Sequence, residues 1–120
     1  MGLDMYFYVE DKMTKTEIMF AYYRKFNALY GYFCNKYTMD NPGRAIVNFE
    51  DLEELYRLCQ MILKQEKHPS ECLPIMFGPF FGSYDYGDIY QSYILQLHYD
   101  LIRLMEIDLL KYNIYFYADY

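Results

Sequence analysis

Lys15 to Lys36, KTEIMFAYYRKFNALYGYFCNK, is the stretch on which the fold turns. Ile18, Tyr22, Leu29 and Phe33 recur in it at helical spacing, and a second apolar line, Met19, Tyr23, Phe26 and Tyr30, runs beside them. Thr14 or Thr16 stands where a cap is wanted, and Glu17 in the first turn suits the helix dipole. The polar face is narrow, made of Arg24, Asn27, Gly31 and Asn35. The spacing therefore predicts one long helix over 15–36, buried on much of its girth and central to the fold.

On its N-terminal side, Asp4 to Val9 (DMYFYV) is rich in aromatics and reads as a strand, with Glu10 to Lys15 turning the chain. On its C-terminal side, Asp40-Asn41-Pro42-Gly43 is a strong turn signal, and Ala45 to Phe49 a short strand. Asn48 is a good N-cap and Asp51 completes a capping-box pair, so a second helix is expected from Phe49 to Lys67, stopped by Pro69. Its apolar stripe is Leu52, Leu55, Cys59, Ile62 and Leu63. Asp88 to Asn113 gives the longest helix, with Ile89, Tyr93, Leu97, Leu101 and Leu104 on the core side. Ile114 to Ala118 (IYFYA) closes as a strand much like the first, and the two terminal strands suit antiparallel pairing. The expected fold is a single α+β domain over 1–120, a small antiparallel sheet of about three strands packed against three α-helices.

One block fits neither period. Leu73 to Tyr90, LPIMFGPFFGSYDYGDIY, mixes three glycines and two prolines with rings, whereas ordinary surface loops are polar. It either plugs the core or presents aromatic rings to a partner. Composition leaves that choice open but implies that some tyrosine surface faces a partner. With 17 Tyr, 9 Phe and no Trp, aromatics reach 22% of 120 residues, more than so small a domain can hide. Tyrosine buries its ring while its hydroxyl stays wet, which suits interfaces.

Seventeen acidic against eleven basic residues leave a formal net charge of −6, which disfavours direct binding of nucleic acid; such a charge can seek a basic protein surface, and more simply it serves solubility. Cys34, Cys59 and Cys72 have no CxxC spacing, and Cys34 and Cys59 fall in helical patterns, so reduced core thiols and a cytoplasmic compartment are expected. The start, MGLDMYFYVED, lacks the pattern of a signal peptide, and no window reaches the ~18 apolar residues of a bilayer span, so no membrane association is expected.

Candidates for chemistry are sparse. His68 and His98 lack ligand-spaced neighbours, no zinc pattern or nucleophile motif is present, and neither metal nor cofactor is implied. Asp85 and Asp88 could flank a pocket as acid and base, but paired acids before a helix are more commonly dipole partners. Gly78 and Gly82 lack the lysine of a phosphate loop and more plainly let bulky rings turn tightly. Arg24, Lys25 and Asn27 beside Tyr22 and Tyr23 could stack a base or grip an anion, or be a solvated helix face.

Three segments together, MGLDMYFY, YYRKFNALYGYF (Tyr22 to Phe33) and the Leu73 to Tyr90 block, resemble a family of small uncharacterised proteins encoded by bacteriophages and prophages. Members begin MGLDMY and carry a YWRKAN-like helix motif and a GFFFGS-like loop; DLEELYRLC (Asp51 to Cys59) fits as well. The family's helix-motif histidine falls on Tyr30, and proline stands at Pro79 for the first ring of the loop. Arg24, Lys25, Asn27, Gly82 and Ser83 match. The resemblance implies a phage context, in which small acidic proteins often act by binding a host protein, inhibitors of bacterial defence such as anti-CRISPR proteins being a prominent class.

The function expected is thus a non-enzymatic, protein-binding inhibitor in the cytoplasm of a host bacterium. It would dock an acidic, tyrosine-rich surface on a basic defence nuclease or other nucleic-acid-binding effector, using Phe80, Phe81, Tyr84, Asp85, Tyr86 and Asp88. The alternative is a small-ligand or nucleotide-sequestering protein using Tyr23, Arg24, Lys25, Asn27, Gly82 and Ser83. A homodimer on the tyrosine patches would use the same residue types.

Overall fold

The computed structural model describes residues 2–120. Strand β1 (Asp4–Asp11) turns back into β2 (Glu17–Arg24), followed by helix α1 (Asn27–Lys36) and strand β3 (Gly43–Val47). Helix α2 (Phe49–Leu63), a short 3-10 turn (Pro69–Glu71), helix α3 (Asp88–Leu104) and strand β4 (Tyr112–Asp119) complete the chain. The strands form one antiparallel sheet in the order β2-β1-β4-β3. The α+β class holds, with four strands where about three were expected.

The extra strand comes from the stretch predicted as one long helix. Glu17 to Arg24 is β2, paired with β1 from Glu10↔Glu17 to Asp4↔Arg24, and only Asn27 to Lys36 is helical. The run EIMFAYYR is so nearly all apolar that both periods fit it, and its aromatics suit a pleated surface. Tertiary pairing decides. Asp11 Oδ1 accepts the Met13 and Thr14 amides at 2.8 and 3.1 Å, and Thr14 and Thr16 belong to this hairpin turn rather than to a helix cap. Lys25 has φ of 59°, in the left-handed region, so the chain leaves β2 and enters α1 through a sharp corner. Asn27 and Gly31, expected on a polar face, are buried.

The terminal strands do pair, in a register that matches Tyr6 with Tyr117, Phe7 with Phe116 and Tyr8 with Tyr115. Alternation then sends the phenylalanines inward and the tyrosines outward. Inside, Phe33 of α1 lies flat on Phe116, their centroids 4.0 Å apart, and meets Phe7 edge-on at 6.2 Å. Leu52 and Leu55 of α2 and Ile94, Leu97 and Leu101 of α3 complete a core in which each is fully buried.

Both later helices end before the expected boundaries at Lys67 and Asn113. Helix α2 stops at Leu63, where Gln65 takes a left-handed φ of 58°. Helix α3 stops at Leu104; Asp108 then accepts the Leu110, Lys111 and Tyr112 amides in the turn leading to β4. No proline or glycine marks that end. The start of α2 is as expected. Asp51 accepts the Asn48 amide, and its own amide donates to Asn48 Oδ1 at 2.9 Å. Asp51 is fully buried, and its carboxylate also takes the Tyr37 hydroxyl and the Lys36 ammonium, each at 2.5 Å. That carboxylate raises the pKa of Lys36 above the ordinary lysine range, against the opposing effect of burial.

Asp51→Ala would therefore remove half of the capping box and the acceptor of the Tyr37 hydroxyl, while Lys36 keeps Glu54 and Tyr32, and a loss of about 3 kcal/mol is expected in chemical denaturation. Glu53→Ala on the exposed face of α2 should stay within about 0.5 kcal/mol of the parent.

Candidate functional site

The helices pack on one face of the sheet, and the other face lies open. Its outward positions form rows across the strands. Tyr22, Tyr6 and Tyr117 make one row, continued by Arg44, and Met19, Tyr8, Tyr115 and Ile46 the next. The rings touch: Tyr6 lies 5.0 Å from Tyr22, 5.6 Å from Tyr8 and 5.9 Å from Tyr117, centroid to centroid. The solvent face of an antiparallel sheet ordinarily carries polar side chains. Here five tyrosines pave it, flanked by the exposed Met19 and Ile46.

Charges frame the paving. The outward positions carry the carboxylates Asp4, Glu10, Glu17 and Asp119 against the guanidiniums of Arg24 and Arg44. Asp4 accepts the Tyr22 hydroxyl at 2.6 Å and an Arg24 Nη1–H at 2.8 Å. The Tyr22 bond, helped by Arg24 and opposed by partial burial, holds the Asp4 carboxyl below its usual range. Glu10 is likewise lowered, first by the Asn113 amide at 3.0 Å. Arg44 reaches over the face itself. Its guanidinium sits 3.7 Å above the Tyr115 ring, and Nη2 bonds Glu17 at 2.8 Å.

The aromatic block, 73–87, is a second exposed feature, and it is both plug and display. Asn27, at the first turn of α1, staples it: Nδ2 donates to the Phe81 and Ser83 carbonyls at 3.1 and 3.0 Å, and Oδ1 accepts the Met76 amide at 3.1 Å. The Tyr86 hydroxyl accepts the Ile75 amide, the Tyr84 hydroxyl bonds the Gly78 backbone, and the Tyr90 hydroxyl donates to the Leu73 carbonyl. Gly82, at φ of 97°, lies so close to Lys25 that a Cβ would fall 2.8 Å from its carbonyl oxygen. Phe81 turns inward against Tyr30 and Tyr120 and keeps 3% exposure, so it serves the core and not a docking surface. Phe80 is the reverse: 62% exposed, with a left-handed φ of 59° that bulky residues rarely adopt.

Of the residues expected at a partner surface, Phe80, Tyr84, Asp85 and Asp88 are therefore exposed, while Phe81 is buried and Tyr86 half-buried. Asp85 accepts the Gly87 amide at 2.9 Å and Asp88 opens α3, the roles of turn and dipole partner. Of the ligand-grip residues, Asn27, Lys25, Gly82 and Ser83 do meet. Tyr23 instead passes under the sheet to Asp100 at 2.5 Å, and Arg24 turns to Asp4. The crevice between Lys25, Asn27 and Ser83 holds only about 10 Å³, far below the ~300 Å³ of a small-molecule site. His98 stacks on Tyr56 at 4.8 Å and His68 caps the 3-10 turn. The three cysteines are free, and burial pushes the Cys59 thiol up to about 12, away from reactivity. Among the described residues no cluster suits a metal ion, and no helix is long and apolar enough to cross a membrane.

Sequence reasoning missed the sheet tyrosines. The signal was there in Tyr6-Phe7-Tyr8 and Tyr115-Phe116-Tyr117, two identical triplets whose alternation puts one ring type on each face. Comparison with protein-family models, with curated proteins and with solved structures finds no match to this chain, so its own residues carry the reading.

Asn27→Ala leaves two carbonyls and one amide of the loop without partners, and a loss of about 3 kcal/mol is expected in denaturation. Faster amide exchange at Met76, with the sheet amides unchanged, would locate the effect in the loop.

Proposed function

We propose that this protein is a binding module that docks the tyrosine face of its sheet on a basic surface of another protein. The observation that carries the reading is the continuous contact of Tyr6, Tyr8, Tyr22 and Tyr117 on a face that no helix covers. Tyrosine supplies a rigid apolar contact with a polar tip, the chemistry favoured at protein interfaces. The acidic frame and the net charge of −6 would repel a phosphate backbone and steer a cationic protein in. The phage context implied by the resemblance supplies the biological role: an inhibitor of a bacterial defence effector, anti-CRISPR-like in action, that occupies the basic surface where the effector holds nucleic acid. Phe80 and Tyr84 of the stapled loop add a second, smaller contact. The 10 Å³ crevice weighs against the ligand-sequestering alternative.

The test is a pull-down of the tagged protein from bacterial lysate at low and high salt, with the parent, a Tyr6→Thr/Tyr117→Thr variant and Phe80→Ser. Threonine keeps the strand preference while removing the rings, and circular dichroism would verify folding. One basic nucleic-acid-binding protein, retained at low salt, released at high salt and lost with the sheet variant, is the expected outcome. That partner should lose nucleic-acid binding when the parent protein is added. Retention unchanged by the sheet variant would overturn the reading.

A further inference from the structure

Resting on that docking surface, we propose that its recognition chemistry is arginine: the tyrosine face seats guanidinium groups of a partner polypeptide, and the chain's own Arg44 occupies one seat. Arg44 shows what the face can hold. From the edge strand β3 it extends over β4, lays its guanidinium 3.7 Å above the Tyr115 ring, and bonds Glu17 of the opposite edge strand at 2.8 Å. A ring beneath and a carboxylate alongside satisfy both properties that separate guanidinium from ammonium, its stacking plane and its directed fork of donors. The ingredients recur across the face, where Asp4 is already paired with Arg24 and Glu10 accepts the Asn113 amide. Tyr6, Tyr8 and Tyr117 present further rings, with Asp119, Asp4 and Glu10 at the two ends of their strands. Four carboxylates against two resident guanidiniums leave the face short of positive charge. An arginine-bearing segment supplies it. A phosphate backbone would add to the excess, and a lysine segment would match the charge without the stacking.

Calorimetric titration with two peptides of equal charge, one arginine-rich and one with every arginine replaced by lysine, tests this, alongside a single-stranded oligonucleotide. The arginine peptide should bind about tenfold more tightly than its lysine counterpart, and the oligonucleotide not at all. Arg44→Ala, which vacates the seat, should strengthen the arginine peptide more than the lysine one. Tyr8→Thr should narrow the difference between them. Equal affinities would reduce the effect to bulk charge and overturn the proposal, as would tighter binding of the oligonucleotide. So would a dimer, seen by sedimentation, that buries the face and is dispersed by Tyr8→Thr. If the lysate partner is lost with the Tyr6→Thr/Tyr117→Thr variant while the peptides bind equally, docking stands and arginine recognition falls.

Discussion

Phe33 of α1 lies flat on Phe116 of β4, 4.0 Å between centroids, with Phe7 of β1 against both, and this contact decides which face of the sheet is dry. The two central strands are thereby committed through their full length. Every residue beside an inward phenylalanine must point outward, because the strand period is two. Tyr6, Tyr8, Tyr115 and Tyr117 are those residues. With the helices packed on the phenylalanine side, no helix among the described residues covers them, and only the Arg44 side chain reaches over Tyr115. The tyrosine paving is thus the obligatory reverse of the core.

That geometry reconciles an aromatic-rich composition with a small domain. Phe7, Phe26, Phe33, Phe81 and Phe116 and the rings of Tyr23, Tyr30 and Tyr90 fill the interior, where burial raises the pKa of each of these three hydroxyls. The outer tyrosines shield one another's ring edges and leave hydroxyls to water and to the neighbouring carboxylates. The loop follows the same division of labour. One asparagine satisfies three of its backbone groups, so Phe81 can be driven inward while Phe80 stays exposed.

Much of the fold was legible in the sequence. The capping box at Asn48 and Asp51, the turn at Asp40 to Gly43 and the pairing of the terminal strands are local or strongly patterned signals, and they hold. Glu17 to Arg24 was misread because its apolar run satisfies two periods at once, and only β1 as a partner breaks the tie. The end of α3 at Leu104 carries no proline or glycine, and the turn that follows is held by the Asp108 side chain and carbonyl. For the site, the aromatic loop stood out through its composition. The sheet face did not, because it joins the β1-β2 hairpin to β4 at the far end of the sequence, and its rings come together only in register.

The most direct test of the docking account is hydroxyl-radical footprinting of the tyrosines, free and bound to the partner recovered from lysate. Protection of Tyr6, Tyr8 and Tyr117 is expected, with Tyr99 on the far side of α3 labelled as before; Tyr99 is 61% exposed. Protection confined to Tyr84 and the loop, with the sheet tyrosines labelled equally in both states, would contradict it.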